Sequence, residues 1–291
     1  MSSAPTIYAV RRQITAMSSE QYEIGVYRPE SAGTESRMLL RTWDGDTLLR
    51  SVPWLRLQNR NGWHIYIRPS GEHELSLVDD LTSEAVAAMK RDGFHPAVVV
   101  QTSPGNYQAW LKHGERLEQQ VSTAAARALA EKFGGDGGAA DWRHFGRLSG
   151  FSNRKPSHQD VVTGLYPFVR LIEAEGTVYP AAARFVAEIR RQVERRSQER
   201  ARLDTRRPGV DPGPLRTIEA FRADRRYAGD GNRIDLAWAI HALSHGAAEE
   251  EVAAAIRSRD LSKKGSQRRQ DAYVERTLVQ AARRLGAARG R

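Results

Sequence analysis

The chain has 291 residues, enough for one large domain or two smaller ones with a real hydrophobic core. It contains no Cys, which excludes disulfides and cysteine-based zinc sites and favours a reducing compartment such as the cytoplasm. The net charge of +10 favours polyanion partners, although an arginine-rich proteome gives the same signal. Because no apolar run reaches membrane-spanning length and no signal-peptide pattern is present, we expect a soluble, cytoplasmic protein with no membrane partner.

Strand-like and helix-like runs alternate through the first two thirds of the chain. Residues 21–29 and 38–43 predict strands, and residues 46–60 predict a helix that Pro53 kinks or breaks. The stretches "GWHIYIRP" and "LSLVDD" follow one another closely and read as two strands. We predict that these two strands pair with each other as a hairpin.

The next stretch repeats the same alternation. Residues 83–93 predict a short helix that ends at Gly93, and residues 97–114 predict two strands joined by the turn "SPGN". Residues 117–135 predict an amphipathic helix that ends in two glycines. This β-β-α-β-β-α order predicts an α+β domain with a mainly antiparallel sheet and helices packed on one side.

The last third of the chain has helical patterns only. An arginine-rich helix follows Tyr179, and Phe185, Ile189 and Val193 give it one narrow apolar stripe. A segment rich in Pro and Gly then predicts a linker, and three or four helices follow it. The predicted division is a first domain over 1–203, a linker over 204–214 and a small all-α domain over 215–291.

Two adjacent acids, Asp79 and Asp80, end the strand-like run "LSLVDDLTSE". Burying an unpaired carboxylate costs several kcal/mol, so these side chains either reach water or hold a cation. Mg²⁺ and Mn²⁺ prefer hard oxygen ligands of this kind. The alternative is that the two aspartates only cap the helix that starts near Ser83.

Two further stretches combine polar groups with glycine. In "QTSPGNYQAWL", three neutral polar residues surround a turn that is able to hold sugar or phosphate, or that is an ordinary hairpin turn: Ser103, Asn106 and Gln108. In "DWRHFGRLSGFSNRKP", an acid precedes a glycine-containing loop that suits a triphosphate, with a solvated basic loop as the alternative. The residues concerned are Asp141, Arg147, Asn153, Arg154 and Lys155.

In the helical region, four cations surround Gly265 and read as a phosphate-contacting, DNA-binding loop: Lys263, Lys264, Arg268 and Arg269.

An acid pair, a polar turn and then an acid with a cationic loop follow the motif order of the archaeo-eukaryotic primase superfamily. More closely, the chain resembles the RepB-type DNA primases of mobile plasmids. The likeness is carried by "NRNGWHIYIRP", "LVDDL", "QTSPGNYQAWL" and "FGRLSGFSNRKP" and extends from about residue 22 to about residue 278.

The resemblance implies an RRM-like primase palm followed by a small helical domain that helps to bind or select the template. It implies that Asp79, Asp80 and Asp141 bind two Mg²⁺ or Mn²⁺ ions and catalyse nucleotidyl transfer. The polar turn would then line the incoming nucleotide, and the cationic loop would neutralise its triphosphate or contact the template. The implied partners are single-stranded DNA, nucleoside triphosphates and a replicative helicase.

Two departures from the superfamily pattern affect the site. The first acids are usually spaced D-x-D, which places both on one face of a strand, whereas Asp79 and Asp80 are adjacent. Either the strand bends there, or one aspartate dominates, and we favour Asp79 acting with Asp141. The second motif often carries a His where this chain has Gln108, so triphosphate binding would depend more on the Arg/Lys loop.

The function that the resemblance implies is a DNA primase that makes short primers during plasmid or mobile-element replication. The alternative is a non-catalytic single-stranded-DNA-binding replication protein on a degenerate palm. An initiator or relaxase role is discounted because no Tyr lies beside a His pair at metal-ligand spacing.

Overall fold

The computed structural model describes residues 3–30, 36–205, 215–227 and 229–289. The chain divides into two compact units, 1–200 and 201–291. The predicted linker, 204–214, falls almost wholly outside the described residues, apart from the last two residues of a helix. The predicted domain boundaries therefore stay a prediction.

The first unit contains eight described strands and five described helices. The helices are α1 (Ala4–Met17), α2 (Gly45–Arg60), α3 (Ser83–Arg91), α4 (Gln119–Phe133) and α5 (Ala182–Thr205). The strands are β1 (Tyr22–Arg28), β2 (Arg37–Trp43), β3 (His64–Pro69), β4 (Leu75–Leu81), β5 (Val98–Ser103), β6 (Asn106–Lys112), β7 (Gly146–Arg147) and β8 (Arg170–Ala174).

These strands form two antiparallel sheets of four, in the orders β2-β1-β3-β7 and β4-β6-β5-β8. The α+β class and the antiparallel pairing are confirmed. The hairpin predicted for β3 and β4 is wrong, because β3 pairs with β1 and β7 while β4 pairs with β6 in the other sheet. Alternating polarity identifies each strand, but it does not identify the partner that long-range packing selects.

The two sheets pack around one shared hydrophobic core, and the opposite face of the second sheet packs against a second hydrophobic core. In β5, Val98 and Val100 belong to the core that also holds Ile24 and Ile67 of the first sheet. Val99 points to the opposite side, among the buried residues of α3 and α4. This period of two is what a strand with both faces covered requires.

Two helices in the first unit differ from the sequence prediction. Helix α1 has no predicted counterpart, although Pro5 in its first turn and the spacing of Val10, Ile14 and Met17 are typical of a helix start and an apolar helix face. Helix α2 continues through Pro53, so the predicted break is absent. Leu48, Val52 and Leu55 of α2 are buried, so tertiary packing stabilises the helix on both sides of the proline.

The second unit consists of helices in its described part. They are α6 (Ile218–Arg222), α7 (Gly231–Ser244), α8 (Glu249–Arg257) and α9 (Gln267–Arg289), which agrees with the predicted helical count. Trp238, Val252 and Val274 belong to their common core. Within it, the fully buried carboxylate of Asp235 forms an ion pair with Arg259 and accepts a hydrogen bond from the Tyr273 hydroxyl at 2.7 Å.

No helix in the described part of the chain is both long and apolar enough to cross a membrane.

Candidate nucleotide-binding site

The acid pair at the end of β4 sits on a bend. The pairing of β4 with β6 shifts register between Val78 and Leu81, and Asp80 has a φ of 62°, in the left-handed region. The Asp80 amide donates to Asp79 Oδ1 at 2.7 Å. The bent strand, one of the two arrangements expected for adjacent acids, is therefore present. Asp80 is exposed and Asp79 is half-buried, so both reach the surface.

The capping alternative for these acids does not hold. The N-cap of α3 is Thr82, whose hydroxyl accepts a hydrogen bond from the amide of Ala85 at 3.2 Å. A threonine at this position already satisfies the first turn of the helix. Neither aspartate has that structural task, so their position at the surface is open to a ligand.

The C-terminus of α4 packs against the backbone of Asp79. Gly134 ends that helix in the left-handed conformation, and the amide of Asp136 then donates to the carbonyl of Asp79 at 3.0 Å. A Cβ on Gly135 would lie 2.8 Å from the same carbonyl, so only glycine permits the approach. Asp136 is a nearby acid that the sequence reasoning did not select, and its carboxylate accepts from the amide of Gly138.

Asp141 lies in a turn that is tied to β3 and to the segment between β3 and β4. Its Oδ1 accepts from the amide of Arg143 at 2.6 Å. The carbonyl of Trp142 lies 3.2 Å from His73 Nε2, and Arg68 donates to the carbonyl of Arg143. Arg68 is itself paired with Glu23 of β1. Its guanidinium lies over the ring of Phe145, 4.2 Å from the centroid.

The three predicted metal ligands do not form one cluster among the described residues. In residues 3–30, 36–205, 215–227 and 229–289, no group of three or more His, Asp or Glu side chains is placed to hold a metal ion. Mg²⁺ is usually held by one or two carboxylates together with substrate phosphates, so the donor chemistry of Asp79 and Asp80 fits it. The assignment of Asp79, Asp80 and Asp141 as joint metal ligands stays a prediction.

Arg147 is the centre of the basic part of the site. Its side chain is only 4% exposed, and the guanidinium lies 4.5 Å from the centroid of the Tyr66 ring. Nη1 donates to Nδ1 of His64 at 2.7 Å. Burial lowers the pKa of Arg147, and the charges of Tyr66 and Asp79 partly oppose that shift. Arg147 therefore stays a cation held in a protein environment within electrostatic reach of Asp79.

Arg147 has no carboxylate ion pair in the described part of the chain, and neither have Arg154 and Lys155. All three act on His64: burial first, and then the charges of Arg147, Lys155 and Arg154, lower its pKa to about 4. His64 is therefore neutral at physiological pH and accepts the guanidinium hydrogen bond. Three cations that act on one imidazole and have no carboxylate partner among the described residues have the charge that an external anion requires.

The remaining residues predicted to contact the nucleotide differ in how exposed their side chains are. Gln108 and Asn153 are buried and hold the cationic loop: Gln108 Oε1 accepts from the Arg147 amide at 2.7 Å, and Asn153 Nδ2 donates to the Thr102 carbonyl at 2.9 Å. The Gln108 amide nitrogen makes no hydrogen bond with the described residues. Ser103 is buried beside the β5–β6 turn and Asn106 is half-exposed in it. Their contacts with a nucleotide stay predictions.

A residue of α1 that the sequence reasoning missed also holds this loop. Gln13 is fully buried, its Nε2 donates to the carbonyl of Arg147 at 3.2 Å, and its Oε1 accepts from the amide of Ser149 at 2.8 Å. Thr6 of the same helix donates to the carbonyl of Gly150 at 3.2 Å. The signal that predicts α1 was present, but no local signal connects Gln13 to a loop 134 residues away.

Three comparisons relate the chain to known proteins. Residues 10–197 match the model of a family described as "RepB DNA-primase N-terminal domain". The chain is 34% identical over 288 residues to "Mobilization protein A" of Escherichia coli, covering 94% of this chain and 40% of that protein. It is 29% identical over 206 residues to a "DNA primase" of Acidithiobacillus ferrooxidans, covering 67% of this chain and 58% of that protein. The chain thus spans less than two thirds of both curated relatives.

Two solved structures of one primase resemble the chain. "Crystal structure of primase RepB'" aligns with a TM-score of 0.63 and 34% identity, covering 95% of this chain and 94% of that one. "Crystal structure of the catalytic domain of primase Repb' in complex with initiator DNA" aligns with a TM-score of 0.60 and 38% identity, covering 66% of this chain and 97% of that one. The α+β primase palm expected from the sequence is confirmed.

Proposed function

The chain belongs to the RepB DNA-primase family, and from this membership we propose that it is a DNA primase that synthesises short primers on single-stranded DNA. The proposed setting is plasmid or mobile-element replication, the proposed substrates are nucleoside triphosphates, and a replicative helicase is a proposed partner. The observation that carries the proposal is Arg147, a buried guanidinium that has no carboxylate ion pair among the described residues and lies within electrostatic reach of Asp79.

The basic residues have the task of binding and orienting the triphosphate. Arg147 is held from three sides, by the Tyr66 ring, by the neutral imidazole of His64 and by Gln108 through its backbone. A cation fixed in this way binds phosphate oxygens with little loss of side-chain entropy. Arg154 lies over the Tyr166 ring, 5.0 Å from its centroid, and Lys155 is exposed, so these two supply further charge at the opening of the site.

The acids have the task of holding a divalent cation. We propose Mg²⁺ or Mn²⁺ on Asp79 and Asp80, with Asp141 contributing. The metal would activate the primer hydroxyl and neutralise charge on the departing pyrophosphate. No protein base is then required, and the chain supplies carboxylate oxygens on one side and phosphate-binding cations on the other.

Primer synthesis tests the proposal directly. We expect the full chain, incubated with an oligonucleotide template, Mg²⁺ or Mn²⁺ and labelled nucleotides, to release short labelled products. We expect Asp79→Ala/Asp80→Ala to lower product formation about 100-fold or more, because the metal's contribution to the transition state is several kcal/mol. Asp141→Ala should lower it as well. Template binding by these variants should stay close to that of the unaltered chain.

Two further variants make the test specific. Asp46→Ala removes an exposed acid from the first turn of α2 and should leave synthesis unchanged. Asp80→Gly keeps the left-handed backbone but removes the carboxylate, so it separates the shape of the bend from its charge. Equal product from Asp79→Ala/Asp80→Ala and the unaltered chain would contradict the site. Intact DNA binding with no synthesis by any form would favour the non-catalytic alternative.

A further inference from the structure

A groove outside the phosphate site lies between α1 and the strand β8. It encloses a cavity of about 260 Å³. An aromatic ring borders it from each side, Tyr8 from α1 and Phe168 from the segment before β8, and each is 63% exposed. Large aromatic side chains usually bury most of their surface, so two exposed rings on one groove indicate a binding surface.

An arginine lies on the same face of the helix or extended segment as each ring. Arg12 follows Tyr8 by four residues on the helix, and Arg170 follows Phe168 by two residues on the extended segment, so each pair shares one face. Both arginines are exposed and neither has an ion pair within the described ranges. The acid that also lines the groove, Glu173, is already paired with Lys90. The groove therefore offers uncompensated positive charge.

The groove adjoins the cationic loop of the phosphate site. Phe168 pairs with Ser152 in an isolated antiparallel bridge, and the amide of Val169 donates to the carbonyl of Phe151 at 2.8 Å. Gly150 lines the groove and begins the run that leads to Arg154 and Lys155. An extended polyanion lying over Phe168 would reach those two cations without leaving the surface of the first unit.

We propose that this groove binds single-stranded DNA, with bases stacked on Tyr8 and Phe168 and phosphates contacting Arg12 and Arg170. Aromatic rings interleaved with arginines are the usual platform for single strands, since every base has a π-face. The cavity lies below the usual range for a complete small-molecule ligand, which fits a base entering from a strand rather than a free nucleotide. The assignment of this groove to the template strand rests on the proposed primase function.

Binding of a fluorescently labelled oligothymidylate to the full chain tests the groove. We expect Tyr8→Leu/Phe168→Leu to lower the affinity about tenfold or more, because stacking on each ring is lost while apolar bulk is kept. Tyr8→Phe should bind as the unaltered chain does. Arg12→Ala/Arg170→Ala should weaken binding and reduce the slope of log affinity against log salt by about 1.4.

Control variants alter exposed apolar and arginine side chains away from the groove. Leu57→Ala alters another exposed apolar side chain, and Arg127→Ala/Arg184→Ala removes two exposed arginines. Both should leave affinity nearly unchanged. The groove is refuted if the leucine variant binds like the unaltered chain, if Arg127→Ala/Arg184→Ala weakens binding equally, or if the unaltered chain does not bind the oligonucleotide. Loss of binding in the groove variants of a chain that makes no primers would support the groove and contradict only the proposed function.

Discussion

Single side chains decide how this molecule presents charge at the proposed phosphate site. A protonated imidazole on β3 has no lone pair to accept a hydrogen bond from Arg147, but burial and the neighbouring cations keep His64 neutral. Its imidazole then accepts from Arg147 and fixes the guanidinium plane. His113 is a second buried neutral imidazole, located 2.9 Å from the Tyr179 hydroxyl and 2.8 Å from the Ser76 hydroxyl.

These two histidines make the stability of the chain depend on pH. Burial lowers the pKa of His64 and of His113 from 6.5 to about 4. The unfolded chain therefore binds more protons than the folded chain between those values, and the free energy of unfolding falls as pH falls through this window. Between pH 7 and pH 5 we expect a loss of about 2 kcal/mol for each histidine. Denaturant unfolding at pH 7, 6 and 5 measures it.

A substitution isolates one of the two histidines. His113→Gln should lower stability at pH 7 but remove about 2 kcal/mol of the decrease between pH 7 and pH 5. His95→Gln, at an exposed position, should leave the pH dependence as it is. A His113→Gln protein that keeps the full acid-induced decrease would show that this histidine is not the group responsible.

At the scale of elements, local patterns predicted strands β1 to β6 and most of the helices, but not the strands β7 and β8. The partners of most strands were decided at long range. The predicted strands and the "SPGN" turn between β5 and β6 are present. The wrong hairpin arose because β3 joins β1, whose Ile24 and Val26 pack in the same core as Ile65 and Ile67. Short-range alternation contains no information about that choice.

The candidate site shows the same division. The acids, the polar turn and the cationic loop were recognisable because their order along the chain resembles that of RepB-type primases. The bend at Asp80 and the support from Gln13 were not recognisable in the sequence. A left-handed aspartate and a contact between α1 and β7 depend on the finished fold. No residue type or sequence motif marks supporting contacts of this kind.

Helix α1 should therefore act on nucleotide binding without touching the nucleotide. We expect Gln13→Met to leave the Arg147 carbonyl and the Ser149 amide unpaired, at a cost of about 1 to 3 kcal/mol for each buried group. The cationic loop then loses its fixed position, so the KM for nucleotide in primer synthesis should rise more than kcat falls. Steady-state kinetics with varied nucleotide concentration separates the two.

The neighbouring exposed residue of α1 provides the control. Thr15→Ala changes the same helix without touching the loop and should leave both constants unchanged. If Gln13→Met lowers the stability of the chain but leaves the KM for nucleotide as it was, α1 supports the fold and not the nucleotide site.

At the scale of the whole molecule, the positive charge is distributed unevenly between the two units. Residues 201–291 hold 19 of the 45 Lys and Arg but only 12 of the 35 Asp and Glu, so they carry +7 of the net charge of +10. The first unit carries the remaining +3. The helical unit therefore has the larger long-range attraction for a polyanion.

Within the helical unit, the four cations predicted to bind DNA have different environments. Lys264 donates to Asn232 at 2.6 Å and lies over the Tyr273 ring, 4.4 Å from its centroid. Lys263 and Arg268 are exposed and have no ion pair among the residues described. We therefore expect Lys263 and Arg268 to contact phosphate, while Lys264 contributes to the packing of α7 against α9.

Salt titrations of oligonucleotide binding distinguish these roles. Lys263→Ala/Arg268→Ala should weaken binding and lower the salt slope by about 1.4, because two phosphate contacts no longer release counterions. Arg226→Ala/Arg257→Ala removes the same charge from residues already paired with Asp224 and Asp271, so its effect should be smaller. Equal weakening by the two double variants would mean that net charge alone attracts DNA to this unit. A smaller effect of the second pair would locate the contact at the loop around Gly265.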